Sequence, residues 1–385
     1  MMLKRITKAP EQSFFLLGPR GSGKSTWLRS AFPDAHFIDL LSEEKYQGLL
    51  ANPGRFADEL RAVPTVRRVV VDEVQRLPNL LNEVHRFMEE KRMLFVLCGS
   101  SVRKLKRAGV NLLAGRALRR IMHPFIPEEL GEHFDLDEVI QYGALPIIWD
   151  SVSKEETLSA YTRLYLKEEI QAEALVRNLP GFARFLPIAA LFHGQTINVT
   201  NISREAGVAR TTISGYLDIL EETLLCFRLP AYEAKLRVRE RKLPKWYWCD
   251  PGIVRAMKGV AGRPTPEERG ALFEGLVAQL LRAYKDYRGM CDDIFYWAPS
   301  VRSAIEVDFI IVRGVELIAV EAKSGNTFMD AWCKGLRAVA PLEGLKRRIV
   351  VYPRGPVLRT NDGIDAFPFQ QFADVLAADT LWNDP

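Results

Sequence analysis

The sequence has no apolar run near the roughly 18 to 20 residues that a bilayer span needs. Its longest runs, around 68–71 and 93–98, are strand-sized. The N-terminal lysines are not followed by an apolar segment and small residues, so no secretory leader is expected and the expected compartment is cytoplasmic. Cysteine is scarce and scattered over five positions, Cys98, Cys226, Cys249, Cys291 and Cys333. No CxxC pair and no histidine at ligand spacing accompanies them. That argues against a disulfide framework or a zinc site and suits a reducing compartment. Internal repeats and low-complexity segments are lacking too. Nothing suggests a flavin, a nicotinamide cofactor or a small metabolic substrate.

What is present is a chain of 385 residues, 48% hydrophobic and 26% charged. That is too long for one ordinary domain, so two to four are expected, each with its own core. The net charge of +5 permits nucleic-acid binding without establishing it. Local crowding says more: Arg103, Lys104, Lys106, Arg107, Arg116, Arg119 and Arg120 share one stretch, and Lys235, Arg237, Arg239, Arg241, Lys242 and Lys245 another.

Residues 13–123 alternate short apolar runs (14–18, 35–39, 69–72, 94–99, 117–123) with helical patterns, which implies a parallel sheet covered on both faces. From about 127 to 190 the period is helical, as in a lid or bridge. Residues 196–248 read as two short helices with a turn at Gly207, then a strand and a hairpin with a basic tip. Asn201 or Ser203 is expected to cap the first helix, and Arg210-Thr211 to open the second. The segment 262–270 has linker character. A helix (271–284), strands (295–298, 305–312, 316–321) and a helix near 329–339 then form a small α/β domain. The expected division is 1–126, 127–195, 196–261 and 262–385.

Gly18-Pro19-Arg20-Gly21-Ser22-Gly23-Lys24-Ser25 fits GxxxxGK[ST] in full, with Thr26 next, between a strand and a helix. Glycines let such a loop wrap a phosphate with backbone N–H groups at the positive end of a helix. ATP is the expected ligand, with Lys24 reaching the β- and γ-phosphates and Ser25 ligating Mg²⁺. Residues 68–73 form an apolar strand ending in Asp72 and Glu73. These acids are either residues at the strand's exit to solvent or the second half of the site. In the second reading Asp72 holds Mg²⁺ through water and Glu73 polarises the attacking water. Strand 94–99 ends in Ser100-Ser101, where Ser100 can sense the γ-phosphate and Ser101 can equally cap a helix. In ring ATPases an arginine from one subunit completes the neighbour's site. Arg116 is the candidate, with Arg119 behind it, against a surface or DNA-facing role.

The ordered motifs "GPRGSGKST", "VVVDEVQRLPNLLNEVHRFME", "LCGSSVRKLKRAGVNLLAGRALRR" and "HPFIPEEL", with "WYWCDPGIVRAM" and "GALFEGLVAQLL" later, resemble a group of bacterial and archaeal AAA-superfamily ATPases. The likeness spans nearly the whole chain. It implies an α/β P-loop AAA core, a winged-helix domain and an oligomeric, hexameric assembly, but it supplies no substrate.

Glu274 lies on a helix, Asp308 on a strand and Glu321-Ala322-Lys323 on the next strand. This order resembles the PD-(D/E)xK nuclease core, without the proline before Asp308. Alternation puts Glu321 and Lys323 on one strand face with Asp308 able to meet them. Such a set could bind Mg²⁺, or be ordinary same-face ion pairs on a sheet that binds DNA without cutting it. At the helix-turn-helix, Arg210, Thr211, Thr212 and Ser214 suit phosphate and base-edge contact, with Arg237 and Arg239 on the hairpin. The alternative is a module that packs only against protein. The expectation is ATP hydrolysis coupled to work on DNA. An ATP-gated nuclease and a switch acting on a protein partner are the rivals.

Overall fold

A computed structural model describes residues 3–63, 67–101, 116–164, 178–234, 241–299 and 305–383. They group into two compact units.

The smaller unit holds residues 5–123 and 219–225. Its elements are β1 (Phe14–Leu17), α1 (Lys24–Ala31), β2 (His36–Asp39), α2 (Glu43–Ala51), α3 (Gly54–Ala62), β3 (Arg68–Asp72), α4 (Leu80–Lys91), β4 (Leu94–Gly99) and β5 (Leu118–Ile121). The strands make one parallel sheet in the order β2-β3-β4-β1-β5. Helices cover both faces, which is why the strands read as unbroken apolar runs. Alternate side chains divide between two cores. Phe15, Leu17, Val69, Val71, Phe95 and Leu97 pack with Phe56, Leu60 and Val84. Phe14, Leu16, Val70, Val96 and Cys98 pack with Leu28 and Met122.

The larger unit holds 124–218 and the chain from 226 onward. It begins with α5 (Pro127–Leu130), α6 (Leu136–Tyr142), α7 (Pro146–Trp149), α8 (Lys154–Leu164) and α9 (Leu179–Leu191). Next come β6 (Gln195–Thr196), α10 (Val199–Ala206), α11 (Arg210–Glu222), β7 (Cys226–Leu229) and β8 (Lys245–Trp248). The three strands form an antiparallel sheet in the order β6-β8-β7. After α12 (Pro251–Lys258) and α13 (Pro266–Arg288) come β9 (Asp293–Trp297), β10 (Val307–Arg313), β11 (Glu316–Ala322), α14 (Lys334–Ala338), β12 (Leu345–Tyr352), β13 (Leu358–Arg359), β14 (Ile364–Pro368) and α15 (Phe369–Ala377). The last six strands make a mixed sheet ordered β13-β14-β12-β11-β10-β9. β10 is antiparallel to β9 and β11, while β11 and β12 are parallel.

Three local expectations are corrected. Helix α10 is capped by Asn198, not by Asn201 or Ser203. Its side chain accepts from Thr200 and Asn201 N–H at 3.0 and 3.2 Å, so Asn201 is already in the first turn. The segment 262–270 is linker only in its first half. Thr265 and Glu268 form a capping box that starts the 23-residue α13. Near 329–339 the helix is a 3-10 turn (Asp330–Cys333) followed by the short α14.

His193 lies between α9 and β6, fully buried, with its Nδ1 accepting the Trp248 N–H at 3.1 Å. That bond requires an unprotonated Nδ1. Burial, with Lys258 nearby, lowers the His193 pKa to about 3. The folded pKa lies below the unfolded one, so the neutral ring's contribution is present above about pH 6.5 and is lost as pH falls toward 3. Relative to His193→Asn, which keeps an acceptor but no titration, wild type should lose about 1.4 kcal/mol per pH unit in that window. Urea unfolding across pH reads the difference, and parallel profiles would rule His193 out.

Candidate nucleotide site and C-terminal carboxylate cluster

The loop from Gly18 to Gly23 leaves β1 and enters α1. Gly21 and Gly23 sit at φ 76° and 82°, a region open to glycine and strained for other residues. Gly18 is needed for a different reason, since a Cβ there would stand 2.5 Å from the Met122 carbonyl oxygen. Lys24 is buried, and its Nζ donates to the Gly18 and Pro19 carbonyls at 2.9 and 3.1 Å. Arg5 ties the loop to the end of the sheet by donating to the Ser22 and His123 carbonyls at 3.0 and 2.5 Å. Among the described residues Ser22 Oγ is buried without a hydrogen-bond partner. Ser25 and Thr26 lie in the first turn of α1, and Arg20 is exposed.

β4 separates β1 from β3, so the loop, Ser100 and the two acids line up along the C-terminal edge of the sheet. Asp72 is buried, and its Oδ1 accepts the Glu73 N–H at 3.0 Å. Glu73 takes a left-handed conformation, φ 56° and ψ 42°, which turns the chain sharply after the strand. Gln75, buried and unsuspected from the sequence, joins the set. Its Nε2 donates to Glu73 Oε2 and, at 3.2 Å, to Ser100 Oγ. It packs against Gly99, where a Cβ would meet Gln75 Oε1 at 2.3 Å. Ser101 is buried, with Oγ unpartnered among the described residues. Arg116 is exposed and paired with Glu89 at 2.5 Å. Gln75→Leu should slow any ATP turnover about tenfold, the cost of one positioning hydrogen bond, with ATP affinity unchanged. Parallel binding and turnover assays check it; equal losses in both would refute the positioning role.

The larger unit gathers a second set. Glu274 projects from α13, Asp308 from β10 and Glu321 from β11, with Lys323 just past the end of that strand. Lys323 pairs with Glu321, and Asp308 Oδ2 accepts the Ala322 N–H at 2.9 Å. Burial and the charge of Asp308 raise the pKa of both Glu274 and Glu321. Sequence reading missed Glu306, Lys245 and Tyr247. Oxygens of Glu274, Glu306 and Asp308 lie within 4.8 Å of one another. Lys245 Nζ stands among them, 2.8 Å from Glu274, 3.4 Å from Asp308 and paired with Glu306. Tyr247 donates its hydroxyl to Glu274. A divalent ion therefore does not fit as the side chains stand, because the ammonium already holds its position.

At the three-stranded sheet, α11 begins at Arg210, with Arg210, Thr211 and Ser214 exposed and Thr212 half-buried. Arg237 and Arg239 of the basic hairpin lie outside the described residues, as do Arg103, Lys104, Lys106 and Arg107. Among the described residues no helix is long and apolar enough to cross a membrane.

Uncharacterized proteins of Mycobacterium bovis and Mycobacterium tuberculosis are each 24% identical over 376 residues, covering 95% of this chain and 82% of theirs. An uncharacterized Haemophilus influenzae protein is 22% identical over 270 residues, 66% of this chain and 64% of its own. A Vibrio cholerae crystal structure aligns over 96% of this chain and 97% of its own at 14% identity, with a TM-score of only 0.25. Residues 133–263 and 269–372 match two domains of unknown function, DUF8612 and DUF4143. Residues 10–131 match the AAA domain model, the span that holds the parallel sheet, the glycine loop and Asp72. This part of the chain is similar to AAA domains and carries the P-loop sequence pattern.

Proposed function

We propose that the protein hydrolyses MgATP as an oligomeric ring and uses turnover to bind and then move or remodel DNA. The observation that carries the ATPase part is the line of groups along one sheet edge, Lys24 under the loop and Glu73 linked through Gln75 to Ser100. The loop suits a nucleotide phosphate, offering a buried ammonium, an orphaned Ser22 hydroxyl and two left-handed glycines. Ser25 and Asp72 are the residues that would hold Mg²⁺, which when bound offsets phosphate charge. Lys24 exchanges its carbonyl partners for phosphate oxygens, and Glu73 accepts a proton from the attacking water while Gln75 holds it in place. Arg116, supplied in trans, makes turnover depend on assembly.

DNA is favoured by the helical pair α10–α11 and the three-stranded sheet that flanks it in sequence, elements that suit a winged helix, with Arg210, Thr211 and Ser214 exposed at the start of the second helix. The test is the ATPase rate with duplex, single-stranded and branched DNA, in wild type and Glu73→Gln. Stimulation by one form, absent from the variant, supports the reading. A rate indifferent to every DNA, with no gel shift at low salt, refutes the DNA part and points to a protein partner.

A further inference from the structure

We propose that Lys245 is the resident cation of the C-terminal carboxylate cluster, standing where a divalent metal would otherwise sit, so that the cluster takes no metal while β8 is in place. The inference stands on side-chain geometry and is independent of the ATPase reading.

Three carboxylates from separate places, α13, the residue before β10 and β10 itself, converge on one ammonium. Their oxygens lie close enough together to ring a single metal ion. Lys245 comes to that point from another sheet, as the first residue of β8, and its side chain is only 3% exposed. Burial works against its charge, but Glu274, with Tyr247, Asp308 and Glu306, more than reverses this and raises its pKa well above the ordinary lysine value. The Tyr296 ring adds a face 5.5 Å from Nζ. Tyr247, two residues along the same strand face, hydrogen-bonds the same Glu274 oxygen, so β8 is joined to the cluster by two consecutive inward side chains.

Among the described residues no other cation reaches all three acids: Arg241 meets only Glu306, at 3.5 Å. Lys323 engages Glu321 alone among the described acids within salt-bridge range, and it leaves Glu321 Oε2 buried without a hydrogen-bond partner among the described residues. Replacing Lys245 by a neutral, shorter side chain removes the one ammonium that the three carboxylates share, leaves Arg241 on Glu306 alone, and opens a site for an oxygen-loving divalent ion.

The test is Mn²⁺ titration of the full chain without nucleotide near neutral pH, read by electron paramagnetic resonance of free Mn²⁺. Wild type should show no site that disappears in Asp308→Asn. Lys245→Ala should gain one Mn²⁺, bound at least about tenfold more tightly than anything in wild type, and lose it again on adding Asp308→Asn. A folded Lys245→Ala with no gained Mn²⁺ overturns the proposal. If Lys245→Ala does not fold, wild type and Asp308→Asn decide alone: Mn²⁺ bound by the first and not by the second overturns the proposal, and identical weak titrations uphold it.

Discussion

Glu73→Gln should lower ATP turnover by about 10²- to 10⁴-fold, the usual worth of a positioned general base, while ATP still binds. Glutamine keeps the size and the carbonyl oxygen that accepts from Gln75, so the local hydrogen bond survives and only the basic oxygen is lost. The backbone at 73 is held left-handed, a conformation costly for a residue with a side chain, and the Glu73 N–H is secured by Asp72 at 3.0 Å. Strain kept at a strand end in this way fixes where the carboxylate points. The measurement is single-turnover hydrolysis beside equilibrium binding of a fluorescent ATP analogue. Lys24→Ala should instead lose binding itself, since its buried ammonium sits beneath the loop against the Gly18 and Pro19 carbonyls. A Gln variant that turns over at the wild-type rate would transfer the base to another group.

Asp250→Ala should destabilise the larger unit by about 3 kcal/mol, from a lost helix cap and a buried N–H left unsatisfied. Asp250 is buried at the start of α12. One oxygen accepts the Ile253 N–H at 3.2 Å, the other the Ala144 N–H at 2.7 Å, joining the helix to the loop after α6. Gly143 is needed opposite, since a Cβ there would overlap the Asp250 carboxylate. Urea unfolding checks the loss, and Asp250→Asn should recover one of the two bonds. The pH behaviour is opposite to that of His193. Burial, against several backbone N–H groups, raises the Asp250 pKa to about 6. The folded state therefore holds a proton that the unfolded state has released, and this contribution falls as pH rises from about 4 to about 6. The two groups offset one another in wild type, so removing either one should expose the slope of the other.

The glycine loop was legible because its chemistry is local: glycine spacing, a strand before it and a helix after it. The order of Glu274, Asp308, Glu321 and Lys323 was legible for the same kind of reason, and the fold brings those acids together. Gln75 was not, because its role depends on Gly99 and Ser100 of a neighbouring strand. Lys245 was read only as one more charge of the basic run 235–245. The available signal was its position two residues before Tyr247 in an aromatic strand, which puts both side chains on one face. Strand β12 was missed since its first half, Lys346-Arg347-Arg348, reads as solvent-facing. The Arg347 side chain is in fact covered, paired with Asp365 at 2.8 Å, so a tertiary ion pair overrides the pattern. Asn198 was overlooked as a cap because β6, two residues long, leaves little strand pattern before α10.

The strand order also governs when the nucleotide loop can exist during synthesis. β1, which launches the loop, has no hydrogen-bonded neighbour nearby in the chain: Phe14 pairs with Val96 on one side and Leu118 on the other. Gly18 is shaped around the carbonyl of Met122, and Arg5 secures the loop through His123. A nascent chain that has emerged only through Glu73 carries the whole glycine loop and both acids but none of the strands that flank β1. Such long-range closure is slow compared with forming helices. Nucleotide should therefore protect the emerging chain from proteolysis only after β5 has left the ribosome.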